Sequence, residues 1–411
     1  MPGDLLEIDA ARAAVLERTP LSEPEAVPLR EAAGRVLAED VVAPEPVPAF
    51  DNSAMDGYAV RAAEIAGAGP ESPVRLRLAG ESRAGRPAEG AVGEGEAIAI
   101  STGAMVPDGA DAVVRIEDTG TEAGEVEVLA AAEPGRNIRR AGEDVRAGQT
   151  VLRPGTPIGP AELGVISSAA RSEVLCAARP RLSVVLSGDE LVGPDDPLWP
   201  GAVRDSNAYT VPALASAAGA EVFSIEHVGD DPEETREAIR RALEAEVTVV
   251  CGGVSVGPHD HVRPAFADLG LEQVFWGVAL RPGKPTWFGS GPERRLAFGL
   301  PGNPVSAMVT FILFVRPALL GMQGLDPAAR RVQVEMAAGY EKAPGRAHAV
   351  RCRLEPGPRG WLATPAPDQG SHVLTSMLGA NALAILPAAS EGVVAGDRVD
   401  AELLPGPTMA S

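Results

Sequence analysis

The sequence predicts an α/β multidomain protein. A doubly wound α/β domain is flanked by an elongated α+β domain, an inserted β domain and a C-terminal β-barrel-like domain. Three observations carry this. From Arg181 onward, short β-branched runs alternate with helix-length segments. Two Gly/Pro-rich stretches, about 52–137 and beyond Leu325, hold only short alternating runs. Helical spacing recurs near the N-terminus and again around 150–170.

Apolar residues at helical spacing predict helices over Ile8–Arg18 and Val27–Ala38. The following VVAPEPVPAF must be extended, because proline restricts both itself and its predecessor. The runs Val74–Leu78, Ala97–Ile100, Ala112–Ile116 and Glu125–Leu129 then read as strands of a small β domain. A strand and a helix around Thr150–Ala170, with Pro160 at the first helical turn, are placed to return beside the N-terminal helices.

Leu182–Leu186 and Val247–Val250 read as buried strands and Glu221–Glu226 as a third, with a helix over Ala208–Ala218 between the first and the third. Asp231-Pro232-Glu233-Glu234 supplies an N-cap, a proline at the first helical position and an acidic first turn, for a helix to about Glu244. Val305–Val315 is apolar all round and reads as a buried helix stopped by Arg316-Pro317, too short to span a bilayer. Strands separated by such helices indicate a parallel, doubly wound sheet. Val350–Leu354, Ala382–Leu386 and Arg398–Leu403 belong to the C-terminal barrel.

Composition narrows the function. Charge is 36 basic against 57 acidic residues over 411 positions, a formal −21. Such a field repels nucleic acid and anionic membrane surfaces, so an anionic ligand must be met by a local reversal of sign. Cys176, Cys251 and Cys352 are odd in number and far apart, which fits a reducing compartment and argues against a disulfide framework or zinc ribbon. The N-terminus lacks a basic region followed by an apolar core, so no signal peptide is read and a cytoplasmic location is expected.

In a doubly wound sheet, ligands sit at the carboxyl ends of the strands. Four loop groups fall there. Ser187-Gly188-Asp189-Glu190 follows the first strand, and Gly229-Asp230-Asp231 follows another. Asp231 reads as a helix cap, whereas Asp230 is not needed for capping. Gly252-Gly253-Val254-Ser255-Val256-Gly257-Pro258-His259-Asp260 offers backbone N–H groups to an anion and a hydroxyl from Ser255. If the three loops converge, Glu190, Asp230 and Asp260 can share a Mg²⁺; otherwise the glycine loop is a turn with a solvated Asp. The fourth group is Arg281-Pro282-Gly283-Lys284-Pro285 with Pro301-Gly302-Asn303-Pro304 and Ser306. It places two cations and a helix N-terminus for phosphate or another oxyanion.

Two sharper patterns compete for the glycine loop. Gly253-Val254-Ser255-Val256-Gly257 matches the nucleophile elbow of serine hydrolases, but the elbow needs a helix directly after the serine and Gly257-Pro258 delays one. His259-Asp260-His261 hints at zinc without a third ligand of suitable spacing. Gly283-Lys284 is not a P-loop, since Val278 and Pro285 stand where Gly and Ser/Thr are required.

These segments, in this order, resemble the molybdopterin molybdenumtransferases, the molybdenum-insertion family related to the E domain of gephyrin. The resemblance runs nearly end to end. It is carried by FDNSAMDGYA (50–59), Ser101-Thr102-Gly103-Ala104, Asn137-Ile138-Arg139-Arg140, Gly142-Glu143-Asp144, Gly188-Asp189-Glu190 and Asp205-Ser206-Asn207. Asp230-Asp231, GGVSVG, PGKP, PGNPVSA, Gly345-Arg346 with Arg351, and Gln369-Gly370-Ser371-His372 continue it. Ser187 stands where many relatives carry Thr, and Arg281 where Lys is frequent.

The resemblance implies an elongated domain of 1–47 plus 138–173, a β domain of 48–137, an α/β molybdopterin-binding domain of 174–324 and a C-terminal domain of 325–411. It implies Mg²⁺-dependent insertion of molybdate into adenylylated molybdopterin, with release of AMP. Catalytic roles fall to Asp56, Thr102, Asp144, Glu190, Asp230 and Asp260, the last three also as metal ligands. Ligand binding falls to Ser187, Gly188, Asp205, Asn207, Gly252, Gly253, Ser255, Arg281, Lys284, Pro301, Gly302, Asn303, Pro304, Ser306, Arg351 and Ser371. A homodimer is implied in which one subunit's β domain reaches the partner's cleft, an arrangement that brings Asp56, Thr102 and Asp144 to the site. The upstream molybdopterin adenylyltransferase and downstream molybdoenzymes are the implied partners. A non-catalytic scaffold of the same fold, molybdopterin adenylylation and a serine hydrolase are the competing readings.

Overall fold

The computed structural model describes residues 5–404 except 256, 258, 259 and 329. Helix Ile8–Arg18 forms as expected, with Asp9 in its first turn and Arg18 in its last, and it buries Ile8, Ala11 and Val15. The second expected helix does not form. Pro24–Pro28 is a strand paired antiparallel with Glu173–Ala177, followed by a single tight turn at Leu29–Glu31. The apolar spacing there is real, since Val27, Ala32 and Leu37 are buried with Ile158, Ile166 and Cys176. Gly34, at φ +73, breaks the run in its middle, and the partner strand offers Val27 burial without a helix. The strand Thr150–Leu152 and helix Pro160–Ser168 return to this unit, the strand pairing with Val41–Val42.

Six strands between Gly57 and Val128 form the β sheet, including Val74–Ser82, Glu96–Ile100, Ala112–Arg115 and Glu125–Val128. Two chain passages join it to the elongated unit. The Asp51 carboxylate clasps them, accepting from Ala141 N at 2.8 Å and Arg140 Nη1 at 2.6 Å.

The central sheet runs Glu221–Val228, Arg181–Ser187, Val247–Cys251, Leu296–Leu300, Trp287–Ser290, Glu272–Trp276. The first four strands are parallel, whereas Trp287–Ser290 runs against both of its neighbours, so the sheet is mixed and not wholly parallel. Trp287–Ser290 and Leu296–Leu300 are joined by a hairpin of a few residues, and a connection that short permits only antiparallel pairing. Neighbouring residues take opposite faces: Val184 packs with the helices Asn207–Ala217 and Pro304–Met322, and Val185 with the helices Pro232–Ala242 and Val262–Asp268.

The apolar helix expected to stop at Arg316-Pro317 continues through it. Pro304–Met322 spans 19 residues and is long and apolar enough to cross a membrane, but 83% of it is buried inside the protein. A π-turn over Phe311–Val315 absorbs the clash that Pro317 would otherwise impose. The carbonyl that an N–H at 317 would have served, that of Leu313, instead accepts from Arg12 Nε at 3.2 Å. One arginine of the first helix thereby completes a helix 301 positions away.

Beyond it, Arg331–Met336, Ala347–Gly357, Gly360–Pro365, Ala382–Leu386 and Arg398–Leu403 close into a barrel, because Ala347–Gly357 pairs with both Gly360–Pro365 and Ala382–Leu386. Leu280–Arg281 of the central unit adds to this sheet beside Ala347–His348.

Candidate active site

The carboxyl ends of the parallel strands open into a cleft of about 490 Å³. Leu186 and Cys251 end two neighbouring strands and form its floor. Gly252 turns the chain away at φ +95, and a Cβ there would stand 2.5 Å from the carbonyl oxygen of Ser187, so only glycine lets the two loops touch. Its N–H donates to Leu300 O at 3.0 Å, which ties the glycine loop to the strand before Pro301.

Twelve of the residues expected at the ligand line this single cleft: Ser187, Gly188, Glu190, Asp205, Asn207, Asp230, Gly252, Gly253, Asp260, Gly302, Asn303 and Pro304. Among the described residues no three His, Cys, Asp or Glu side chains form a closed metal-ligand cluster. Glu190, Asp230 and Asp260 are instead spread over the wall, and the Asp260 carboxylate accepts from Gly257 N. Asp231 caps its helix through Glu233 N and Glu234 N, both at 2.9 Å, which leaves Asp230 for the cleft. Asp189, present in the first loop but given no role from the sequence, joins two loops, since its Oδ1 accepts from Asp230 N at 3.1 Å. Its place between Gly188 and Glu190 was the available signal.

Asp205 is the hinge of the opposite wall. Its Oδ1 accepts from Asn207 N at 2.8 Å and Ala208 N at 3.1 Å, capping the helix Asn207–Ala217. Asn207 Nδ2 donates to Gly302 O at 2.8 Å, so its Oδ1 faces elsewhere, buried and without a protein partner. Leaving such an acceptor unpaired costs about 1–3 kcal/mol, which a ligand N–H would relieve. Burial, reinforced by the charge of Asp205, pushes the Cys251 thiol far up, so this floor residue stays a neutral thiol. Arg204 also lines the cleft, but its guanidinium is spent on the carbonyls of Gly193 and Asp196.

The remaining expected residues lie outside the cleft lining. Ser255 is exposed on the glycine loop, and the next helix begins only at Val262, so the geometry of a nucleophile elbow is absent. Val256, Pro258 and His259 of that loop lie outside the described residues. Pro301 and Ser306 are buried where the strand Leu296–Leu300 meets the helix Pro304–Met322. Arg281 and Lys284 are exposed beside the C-terminal barrel. There His348 is buried, and burial together with Arg281, Lys342 and Arg346 holds its imidazole down at about 4.

Arg351, expected among the ligand-binding residues, is engaged within its own chain. It is fully buried, and its guanidinium donates to Ser376 Oγ (3.1 Å), Asp368 O (3.3 Å) and Gly370 O (3.1 Å). It shapes the loop that presents Ser371. Asp56, Thr102 and Asp144 do not line the cleft of their own chain. Asp56 Oδ1 accepts from Thr102 N at 2.8 Å on the β sheet, and Asp144 lines a separate groove beside the helix Pro160–Ser168. Exposed Phe50, Met55, Met105 and Ile116 belong to the same turns as Asp56 and Thr102.

The chain matches family models along almost its whole length. They are the MoeA N-terminal region (domain I and II) over residues 6–170, a probable molybdopterin binding domain over 183–321, and the MoeA C-terminal region (domain IV) over 333–404. It is 36% identical to a molybdopterin molybdenumtransferase of Haemophilus influenzae over 404 residues, covering 97% of this chain and 98% of that protein. It is 38% identical to molybdopterin molybdenumtransferase 2 of Mycobacterium tuberculosis, covering 94% and 96%. Among solved structures, a molybdopterin biosynthesis moeA protein from Pyrococcus horikoshii OT3 superposes with a TM-score of 0.84 at 30% identity, covering 98% of this chain and all of that one. The closed C-terminal barrel, the mixed central sheet and the order of the cleft loops thus agree with end-to-end likeness, and the chain belongs to the MoeA/molybdopterin molybdenumtransferase family.

Proposed function

We propose that the chain is a transferase of molybdenum-cofactor biosynthesis that inserts molybdate into adenylylated molybdopterin and releases AMP, with Mg²⁺ as its cation. The observation that carries this reading is the meeting of Glu190, Asp230 and Asp260 with an unpaired buried acceptor, Asn207 Oδ1, in one cleft at the strand ends. The spread of the three carboxylates suits Mg²⁺, which keeps several waters and is completed by ligand phosphates, better than an ion that needs a full protein cage. Glu190, Asp230 and Asp260 are the residues to hold it, and when bound it supplies neutralisation of charge at the cleaved phosphate.

The protein's own groups divide the remaining work. Asn207, set by Asp205 and Gly302, takes an N–H of the ligand. Backbone N–H groups of the glycine loop and of the turn before Pro304 meet phosphate oxygens. Arg281 and Lys284, exposed beside the barrel, meet the molybdate dianion by charge-assisted bonds with Ser371, whose loop Arg351 holds. A second copy of the chain supplies Asp56 and Thr102. Supporting this, exposed Phe50, Met55, Met105 and Ile116 belong to the turns of that pair, and exposed Val203 lines the cleft. The upstream adenylyltransferase delivers the ligand and molybdoenzymes receive the product.

The test is AMP release from adenylylated molybdopterin with Mg²⁺, with and without molybdate, for wild type and Asp260→Ala. Molybdate-dependent release that the substitution abolishes is the expected result. A wild type that binds the ligand and never releases AMP would instead make the chain a scaffold.

A further inference from the structure

We propose that His227 is a positioning residue, acting through Asp205 to aim the Asn207 acceptor at an N–H donor on the ligand's heterocycle. The inference rests on the molybdopterin reading of the cleft and adds to it a residue that does not itself line the cavity.

His227 is the penultimate residue of the edge strand Glu221–Val228, on the face that alternation turns outward. Its side chain is about half exposed, at 53%, yet its Nε2 lies 2.9 Å from Asp205 Oδ2, whose side chain is 2% exposed. An ionised carboxylate only accepts, so the imidazole must present Nε2–H to it. The two oxygens of Asp205 then have separate partners. Oδ1 takes the two N–H groups of the first helical turn, and Oδ2 takes His227, the one side chain to reach it among the described residues.

A continuous chain of bonds results. It runs from His227 on the edge strand to Asp205, from Asp205 to the backbone of Asn207, and from the Asn207 amide to Gly302 O in the turn before Pro304. Without the imidazole, the Asp205 carboxylate is free to rotate about its side-chain torsion, since two N–H groups hold only one of its oxygens. Rotation draws Oδ1 from the helix end and shifts the residue whose Oδ1 waits unpaired in the wall. Asn207 keeps one orientation because Gly302 fixes its Nδ2 end, so the recognising atom is a carbonyl oxygen and the group it selects is a ring N–H or amino group. This is discrimination by an acceptor that a ligand lacking the donor would leave unsatisfied.

The experiment compares wild type, His227→Leu, which fills similar space without a donor, and His227→Gln, which restores an N–H. Equilibrium binding of adenylylated molybdopterin and the kinetics of AMP release are measured on each full-length protein. His227→Leu should raise Kd and KM about 3–10-fold, the loss of one hydrogen bond to a buried charge, with kcat within about twofold. His227→Gln should recover to within about twofold of wild type. Hydrogen exchange at the Asn207 and Ala208 amides should quicken in the Leu variant and not in the Gln variant, a local readout independent of turnover. An unchanged Kd in His227→Leu overturns the proposal. So does a fall in kcat at constant KM, or a Gln variant no better than Leu. A wild type that neither binds the ligand nor releases AMP sinks the functional reading instead, so the two failures are distinct.

Discussion

Glu402 offers the most exposing perturbation of this fold. It is 2% exposed and accepts from Arg12 Nη2 at 2.6 Å, Arg331 Nε at 2.9 Å and Arg316 Nη2 at 3.0 Å. One carboxylate thereby joins the first helix, the long central helix and two strands of the barrel. Burial holds the guanidiniums of Arg12 and Arg316 below their ordinary range, Arg316 at about 10, while Glu402 pulls the other way. Both remain cations at neutral pH. Glu402→Gln would leave them buried with little counter-charge, since Asp9 stands 3.9 Å from Arg12. Removing one partner of a buried pair costs about 3–5 kcal/mol. Arg331 is partly exposed and also pairs with Asp9, so its share is at most about 1 kcal/mol.

The expected loss in Glu402→Gln is therefore about 3–5 kcal/mol, read as a lowered urea midpoint at constant slope. The triple replacement Arg12→Met, Arg316→Met, Glu402→Met should be milder than the single one. It removes the buried charges together and orphans the carbonyls of Leu313 and Leu403, which accept from Arg12 and Arg316, while the partly exposed Arg331 loses Glu402 but keeps Asp9. Arg12 Nη1 and Arg316 Nε are already buried without partners, so the cluster is imperfectly satisfied even in the native state. A loss below about 1 kcal/mol in Glu402→Gln, or a triple variant worse than it, would refute this reasoning.

Three further outcomes are expected. His348 is held at about 4 in the fold against an ordinary 6.5, so the unfolded chain takes up the proton first. The stability from its neutral buried ring is complete above pH 6.5 and is lost as pH falls toward 4, by about 2 kcal/mol at pH 5; His348→Gln should flatten that slope in denaturation curves. Gly252→Ala should cost about 2–4 kcal/mol and weaken ligand binding, because its Cβ meets the Ser187 carbonyl. Gly124→Ala, with similar φ and open space around it, should lose only about 1 kcal/mol in urea denaturation run on both variants. Arg351→Lys keeps the charge but not the fork that holds Asp368, Gly370 and Ser376, and should raise the half-saturating molybdate concentration roughly tenfold.

What the sequence disclosed follows from how local each signal is. The cap at Asp231, the glycine turn at 252 and the buried strand Val247–Cys251 rest on neighbours in the chain, and all three were readable. The stretch Val27–Ala38 misled because apolar spacing records burial and not the element that achieves it. Its partner strand lies nearly 150 residues away. Pro317 misled for the same reason, because its cost is met by Arg12, which no window around 317 contains. At the site, residue types for charge and turn chemistry were legible. The commitment of Arg351 to its own loop and the joining of Asp230 to Asp189 were not, since both depend on which hydrogen-bond partners the folded loops bring near.

The charge of the cleft yields a last prediction, one of sign. Its lining carries Glu190, Asp205, Asp230 and Asp260 against a single guanidinium, Arg204, which is already bound to two carbonyls. The whole chain adds a field of −21. An anionic, phosphate-bearing ligand entering this wall without a cation meets net repulsion, and backbone dipoles offset only part of it. Screening acts over about 10 Å at 0.1 M salt, so added salt should tighten metal-free binding by weakening like-charge repulsion. With Mg²⁺ saturating, the interaction becomes attractive across the bridging ion, and the same salt should weaken it. Calorimetric titration of adenylylated molybdopterin at low and high KCl, each with EDTA or with Mg²⁺, reads both slopes. Opposite slopes follow only if the carboxylates face the phosphates through a cation. Two falling slopes would mean that protein cations outside the lining, Arg281 and Lys284 first among them, dominate ligand capture, and the carboxylates would lose their place as the metal-holding wall.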